Sequence, residues 1–258
     1  RNNTEIIPLE REEGGKSIAI HEKEFPLPEP EDAEEDERAV FWLIKALMQS
    51  DEKVTIVPLG PLTNLALALM AEPRIADKIE EIVCMGGGVQ VTNITPCAEI
   101  NFFNDPEAAK YVLNSGLPIR LITLDATHNS WFGYEEVERL KEIGNPAGDF
   151  AAYLLKNRID AANMLGVRKV KKSAIHDVLA VAAVSHPEVI TDIRRQKCDV
   201  DIGGSWARGG LFVDKRPSAV AEKPVYIAYR ANKELLCDLL VEALKKYDEE
   251  LQKETDDD

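Results

Sequence analysis

The sequence has little that would place the protein in a membrane, on a nucleic acid or in an oxidising compartment. It contains no apolar run approaching the roughly 18 residues that a membrane-spanning helix needs. Because 31 basic residues stand against 46 acidic ones, the formal net charge is −15, which argues against nucleic acid and anionic membranes as partners. The four cysteines are far apart and form no CxxC pair, which argues against a zinc site or a disulfide framework. We therefore expect a cytoplasmic protein.

Two common nucleotide-binding signatures are also missing. The glycine turn MGGG at residues 85–88 does not have the spacing GxGxxG, and GPLTN at residues 60–64 lacks the lysine of a phosphate loop. A nucleotide-binding α/β module therefore remains only a weaker alternative. Tight binding of a phosphorylated ligand would favour it.

The composition is that of a globular protein, with 45 % apolar and 30 % charged residues. The sequence has no internal repeat and no low-complexity linker, so we predict a single α/β domain over residues 1–258. Within it, residues 1–30 are polar and are predicted to be irregular, with only residues 17–20 indicating a strand. Residues 256–258 form an acidic tail.

The rest of the chain alternates between strand and helix patterns. Short apolar runs at 54–58, 81–84 and 119–124 predict buried parallel strands. Periodic segments predict helices at 39–48, 62–70, 134–142, 147–165 and 173–184, from about Arg74, and from Asn232 onward. Further β-like runs lie at 198–202, 211–213 and 225–229. The predicted fold is a mainly parallel central sheet flanked by helices, a Rossmann-like architecture.

Polar side chains follow the strand at residues 81–84 directly after its glycine turn. Asn93, Glu99, Asn101 and Asn104 are spaced through an otherwise apolar segment. In open α/β sheets, ligands bind beyond the carboxyl ends of the strands, and amides with a carboxylate suit a hydroxyl-rich ligand. The alternation of polar and apolar residues is also typical of a half-exposed strand.

His176 and Asp177 form a second polar pair, at the start of an apolar helix. A histidine is a proton donor near neutral pH, and an aspartate is a metal ligand, so the pair suits a catalytic site. The alternative is that Asp177 only caps the helix. His21, His128 and His186 have no partner pattern and are predicted to be structural or surface residues.

Four other side chains admit both a structural and a functional reading. Asp125 follows a predicted strand, where a structural hydrogen bond is as plausible as a role in the site. Trp131 and Trp206 are better explained by core or rim packing than by stacking on a nucleobase. Arg208 is predicted to make a scaffold contact.

These segments, in this order, resemble the nucleoside hydrolase family, whose inosine- and uridine-preferring members cleave the N-glycosidic bond of ribonucleosides. The resemblance covers roughly residues 54–214 and rests on VTIVPLGPLTN, MGGG with NITPCAEIN and NDPEAA, LDATH, SAIHDVLAV and ARGGLFVD. It implies an α/β fold around a mainly parallel sheet, hydrolysis of ribonucleosides to base and ribose, and one bound calcium ion (Ca2+).

The resemblance implies three roles near the bond that is cleaved. His176 matches the general acid that protonates the departing base. Asp177 matches a calcium-binding aspartate, and Leu59 matches a position whose backbone carbonyl binds the same ion. The implied reaction is attack by water, assisted by calcium.

The resemblance also implies a ribose pocket. Asn93, Glu99 and Asn101 match the residues that hold the ribose hydroxyls, and Met85 matches a methionine that lines the pocket. The substrate implied is a small ribonucleoside, with no indication of purine or pyrimidine preference.

One family signature, DxDxxxDD on the first strand, does not occur in this sequence, which begins at Arg1. The family's N-terminal βα units would precede that residue. Since the signature supplies calcium ligands and the aspartate that activates water, we expect activity only if a companion N-terminal polypeptide provides it. We also expect association into a homo-oligomer. The alternative is a non-catalytic or truncated relative that keeps the fold and at most binds ribose weakly.

Overall fold

The structure is a computed structural model that describes residues 10–13, 16–19, 37–164, 171–204 and 206–256. Near the N-terminus, β1 (Glu10–Glu13) and β2 (Lys16–Ala19) form an antiparallel hairpin. Part of the segment predicted to be irregular is therefore a hairpin. The strand indicated at residues 17–20 overlaps β2, whereas β1, with the sequence EREE, lacks the alternation of apolar and polar residues that marks a strand.

The other described strands and helices alternate along the chain. The strands are β3 (Val54–Ile56), β4 (Ile79–Met85), β5 (Ile119–Ile122), β6 (Phe132–Gly133), β7 (Lys172–Ser173), β8 (Ile190–Arg195), β9 (Cys198–Val200), β10 (Leu211–Val213) and β11 (Val225–Ala231). The helices are α1 (Ala39–Gln49), α2 (Thr63–Ala71), α3 (Ile100–Asn104), α4 (Pro106–Leu113), α5 (Leu124–Thr127), α6 (Tyr134–Lys141), α7 (Pro146–Met164), α8 (His176–Ser185) and α9 (Lys233–Asp256). Short 3-10 helices span Pro73–Lys78 and Pro187–Val189.

A five-stranded sheet with the order β3-β4-β5-β11-β8 forms the centre of the fold. The first four strands are parallel, and β8 joins the edge in the antiparallel direction. The prediction of a mainly parallel sheet flanked by helices is confirmed. Because the carboxyl ends of the parallel strands meet at one edge, the segments that follow β3 and β4 are brought together there.

Each face of this sheet has its own apolar core, and successive residues of β4 alternate between them. Ile82 and Cys84 pack with α1, α2 and α4, whereas Val83 and Met85 pack with α6, α7, α8 and α9. A sheet buried on both faces explains why its strands read as continuous apolar runs. No helix in the described ranges is long and apolar enough to cross a membrane.

Residues at both ends of α4 determine where this helix begins and ends. Asp105 caps the helix by accepting a hydrogen bond from the backbone N–H of Ala108 (3.0 Å), and Pro106 occupies the first turn. Gly116 lies beyond the helix with φ of +84°, the left-handed conformation that glycine tolerates best. The strand that follows is thereby directed back to the sheet.

Three segments have a local structure other than the one that the sequence indicated. Residues 100–104 form helix α3 rather than a half-exposed strand, because Glu99 caps the helix through its side chain. The helix predicted from about Arg74 is a 3-10 helix. Strand β8, ITDIRR, has no apolar run, and it forms through hydrogen-bonded pairing with β11.

The predicted acidic tail begins inside α9, and residues 257–258 lie outside the described part of the chain.

Candidate active site

A cavity of about 680 Å³ opens at the carboxyl ends of β3 and β4. Its lining includes the seven positions that the family resemblance selected: Leu59, Met85, Asn93, Glu99, Asn101, His176 and Asp177. Asn104, the fourth polar residue noted after β4, is exposed and does not line it. The seven positions come from four separate segments of the chain, so only the fold brings them together. The volume is in the range of small-molecule sites.

The glycine turn after β4 shapes one wall of the cavity. Gly87 has φ of +69° and donates its backbone N–H to Glu99 Oε2 (2.9 Å). A Cβ atom on the next residue, Gly88, would overlap the backbone carbonyl oxygen of Val91. Glycine is therefore required here by backbone conformation and by close approach of the chain.

Asp125 holds the continuation of this turn. Its carboxylate accepts hydrogen bonds from the backbone N–H groups of Val89 (2.7 Å) and Gln90 (3.0 Å), and its side chain is almost buried. Of the two readings that the sequence left open, the structural hydrogen bond describes its contacts. Asp125 thus fixes the loop that leads to Asn93.

Glu99 is the most buried charged group of the cavity, at 1 % exposure. Its carboxylate accepts hydrogen bonds from the backbone N–H groups of Asn101 (3.0 Å), Gly87 (2.9 Å) and Phe102 (3.2 Å). Burial raises the pKa of Glu99 to about 7, and the negative charge of Asp177 acts in the same direction, whereas the three N–H groups oppose the shift. Glu99 therefore titrates near neutral pH.

This shift predicts a pH dependence of stability. Since the pKa in the folded state, about 7, lies above the ordinary 4.5, the folded protein holds a proton that the unfolded chain has released between these values. The contribution of Glu99 to the free energy of unfolding is thus most favourable below about pH 4.5 and is lost as the pH rises through about 7, by up to about 3 kcal/mol.

We expect Glu99→Gln to remove this decline in the free energy of unfolding, as measured by urea unfolding across the same pH range. Glu80→Gln, a change at an exposed carboxylate of β4, is the control and should keep the wild-type slope. An unchanged slope in Glu99→Gln would contradict the assignment.

Two asparagines support the same wall. Asn93 accepts a hydrogen bond from the backbone N–H of Ile100 (3.0 Å). Asn101 donates its side-chain amide to the backbone carbonyls of Met85 (3.1 Å) and Leu59 (3.3 Å), which ties the ends of two strands together. These contacts hold the Asn101 amide oxygen in a defined orientation beside the cavity, where it can accept from a hydroxyl group.

His176 is the first residue of α8, and its Nδ1 atom lies 2.8 Å from Thr127 Oγ1. The Thr127 hydroxyl lies 3.4 Å from the carbonyl oxygen of Leu124, to which it can donate. The threonine oxygen can then accept Nδ1–H, which leaves Nε2 as the nitrogen that exchanges a proton with a ligand.

His128 lies beside His176, a contact that the sequence did not predict. The centroids of the His128 and His176 rings are 5.7 Å apart, and Trp131 packs edge-on against His128 at 5.2 Å. The available signal was the position of LDATH directly after β5, since parallel strands deliver their following segments to one edge.

Arg158 is a second residue that sequence reasoning missed. Its half-buried side chain lines the cavity, and its Nε–H donates to Ser173 Oγ (3.1 Å). Burial lowers the pKa of Arg158 and raises the pKa of Asp177, and the opposite charge of each residue counteracts the shift of the other. In the helical pattern of α7, Arg158 and the nearby Lys156 both resemble ordinary solvated residues, so nothing in the sequence distinguishes Arg158.

The described side chains alone do not fit a calcium ion. Calcium takes about six to eight oxygen ligands. Asp177 supplies a carboxylate, and the Leu59 carbonyl already accepts the Asn101 amide at 3.3 Å. Across the described ranges, no group of three or more His, Cys, Asp or Glu residues is arranged to hold a metal ion. Any such ion would require further oxygens.

Comparisons with known proteins agree with the fold and with the family that the motifs resemble. The model of the protein family described as "inosine-uridine preferring nucleoside hydrolase" matches residues 10–238 of this chain. The pyrimidine-specific ribonucleoside hydrolase RihA of Escherichia fergusonii is 36 % identical over 226 residues, which are 86 % of this chain and 70 % of that protein. RihA of Escherichia coli O1:K1 is 35 % identical over the same length.

Solved structures give the same result. The purine-preferring ribonucleoside hydrolase of Gardnerella vaginalis superposes with a TM-score of 0.76 at 29 % identity, covering 85 % of this chain and 69 % of that one. The plant nucleoside hydrolase PpNRh1 superposes with a TM-score of 0.75 at 26 % identity, covering 85 % and 71 %. The chain belongs to the inosine-uridine preferring nucleoside hydrolase family.

Proposed function

We propose that this cavity binds a ribonucleoside and that the protein hydrolyses its N-glycosidic bond to give free base and ribose. The observation that carries the proposal is the convergence of four chain segments, with the seven positions that the resemblance selected, on one cavity. The relatives named above as ribonucleoside hydrolases support it.

In this proposal the ribose lies against the wall built by the glycine turn and α3. Asn93, Glu99 and Asn101 bind its hydroxyl groups, and Met85 packs against its apolar face. The backbone contacts of these side chains limit their movement, so little ordering is needed when the sugar binds. The carboxylate of Glu99, when ionised, adds negative potential near the positive charge that develops on the ribose ring.

His176 is proposed as the general acid. Because Nδ1 is engaged with Thr127, Nε2 is the atom that would hold the proton and pass it to the departing base. Protonation matters because a nucleobase is a poor leaving group as an anion. His176 is the first residue of α8 and lines the cavity, which supports this role.

We propose that Asp177 and the Leu59 carbonyl contribute to a calcium site without completing it. The remaining oxygens must come from outside the described residues, for example from a companion polypeptide that carries further carboxylates. Denaturing intact-mass analysis of the purified protein, followed by sequencing of any second species, tests for such a chain. Analytical ultracentrifugation tests the expected homo-oligomer.

The proposed activity predicts selective turnover of ribonucleosides. The protein as isolated, with calcium added, should release free ribose from uridine, cytidine or inosine. It should act on the matched 2′-deoxyribonucleosides with kcat/KM lower by roughly 1,000-fold or more, because polar groups built to bind a hydroxyl are then left unpaired. Reducing-sugar detection and chromatography of the free base measure both reactions. Measurable binding of ribonucleosides without any release of base would instead support the non-catalytic alternative, and equal rates on the two sugars would contradict the ribose contacts.

A further inference from the structure

A second cavity, of about 480 Å³, lies beside β8, the outermost strand on the side of the sheet away from β3, and the segment that follows β10 lines it as well. Its lining contains five cationic side chains: Arg194, Arg195, Lys197, Lys215 and Arg216. We call it the basic pocket. One carboxylate, that of Asp214, also lines it.

This concentration of positive charge runs against the composition of the protein, whose net charge is −15. Even when Asp192, which pairs with Arg194, is counted with Asp214, cations exceed carboxylates in the basic pocket by three. Charges of one sign in a concave site reinforce one another's potential and attract a counter-ion. The pocket is therefore electrostatically suited to an anion.

Two of the arginines are held in place by neighbouring acids. Arg194 Nε donates to Asp192 (2.9 Å), and the Arg194 guanidinium lies 4.8 Å from the centre of the Tyr229 ring. Arg216 Nε donates to Asp214 (2.9 Å). These contacts order both guanidinium groups while leaving each with further N–H donors, since guanidinium carries five.

The other three cations are not neutralised in this way. Arg195 donates only to the backbone carbonyls of Glu222 and Lys223, at 3.4 Å each, among the contacts of the described residues. Within the described residues, Lys197 and Lys215 form no salt bridge, although the positive charge of Lys197 contributes to lowering the pKa of Asp214. Their charges remain available to a ligand.

We infer that the basic pocket binds a small organic phosphate with hydroxyl groups, of the sugar phosphate class. Arginine and lysine are the usual ligands of phosphate. Gln90 and Gln196 line the same pocket, and their amide groups can bind hydroxyl groups. Because Gln196 Oε1 accepts a hydrogen bond from the Tyr229 hydroxyl (2.6 Å), the Gln196 amide nitrogen is the atom that can donate to a ligand. Arg194 lies over one face of the Tyr229 ring and the side chain is buried, so this ring offers little surface on which a base could stack. The net charge of the chain, −15, disfavours a polynucleotide.

The basic pocket is separate from the ribonucleoside cavity, and this inference does not depend on the proposed activity. Gln90 contributes to the basic pocket, whereas Asn93, three residues later, lines the ribonucleoside cavity. Between them runs the loop whose backbone Asp125 holds. A phosphate ligand would thus occupy a second site on the same molecule.

The test is isothermal titration calorimetry of the full chain with ribose 5-phosphate, with neutral ribose and with inorganic phosphate. We expect saturable binding of ribose 5-phosphate that weakens as salt is added, because the interaction is ionic. The double variant Lys197→Gln/Lys215→Gln should weaken it roughly 10- to 100-fold, since two charge-assisted contacts are lost. The control Lys53→Gln/Lys245→Gln changes the net charge equally at exposed positions outside the pocket and should bind as the wild type does.

Either of two results would overturn the inference. One is the absence of saturable binding of ribose 5-phosphate to the folded wild-type chain. The other is equal affinity in the pocket variant and in the control variant, which would place the phosphate elsewhere on the surface. Stronger binding of inorganic phosphate than of ribose 5-phosphate would show that the hydroxyl groups make no contact and would remove the sugar from the proposed class. Circular dichroism of both double variants ensures that loss of binding is not loss of fold.

Discussion

Replacing His176 by alanine is expected to lower kcat for natural ribonucleosides by about 100- to 10,000-fold while leaving the hydrolysis of activated aryl ribosides nearly unchanged. An aryl leaving group with a low pKa departs without a proton, so it does not need a general acid. The hydrogen bond of Nδ1 to Thr127 (2.8 Å) presents Nε2 for this proton transfer. Parallel kcat measurements on uridine and on a nitrophenyl riboside separate the two steps.

Two further variants sharpen this test. His186→Ala removes an exposed histidine at the other end of α8 and should leave both rates unchanged. Thr127→Val keeps the shape of the Thr127 side chain but removes the hydroxyl that orients the His176 ring. The decrease in kcat should therefore be smaller than in His176→Ala and should also be confined to natural substrates. Equal loss on uridine and on the aryl riboside in His176→Ala would exclude the general-acid role.

Replacing Gly88 by alanine is expected to lower the free energy of unfolding by about 3 kcal/mol and to abolish ribonucleoside binding. The added Cβ would overlap the carbonyl oxygen of Val91, which is backbone and cannot rotate aside. The loop would have to move, and its N–H bonds to Asp125, at 2.7 and 3.0 Å, would be broken. Asn93 would then lose its place beside the cavity.

Gly60→Ala is the matched control, because a Cβ at Gly60 meets no atom within 4 Å. That variant should unfold within about 0.5 kcal/mol of the wild type, as substitutions without a structural conflict do. Urea denaturation and a nucleoside-dependent thermal shift measure both effects. If the two glycine variants behave alike, the close approach at Gly88 does not govern the site.

Much of the fold could be predicted from local signals. The apolar runs that became β4, β5 and β11 are buried on both faces, so their hydrophobicity reflects their environment directly. The helix α4 carries its own start and stop residues, Asp105, Pro106 and Gly116. Strand β8 could not be found in this way, because it is exposed and polar and exists through pairing with β11.

The residues of the candidate site also divide into those that the sequence predicted and those that only the structure revealed. The sequence identified the side chains that stand at strand ends and in motifs, and the structure gathers them around one cavity. Arg158, His128 and Thr127 escaped selection because their importance lies in what they approach: Ser173, the His176 ring and Nδ1 of His176. The basic pocket escaped for the same reason, since β8, the Lys215 segment and β11 meet only in three dimensions.

By itself, the sequence determined the fold class, the family and the chemical character of the candidate residues, because apolar periodicity, glycine turns and motif order are encoded locally. Tertiary structure alone decided which charges are buried, such as Glu99, and which cations share a pocket. The physical reason is that desolvation and Coulomb interactions depend on distance in space, and a linear sequence does not specify distances between segments that lie far apart along the chain.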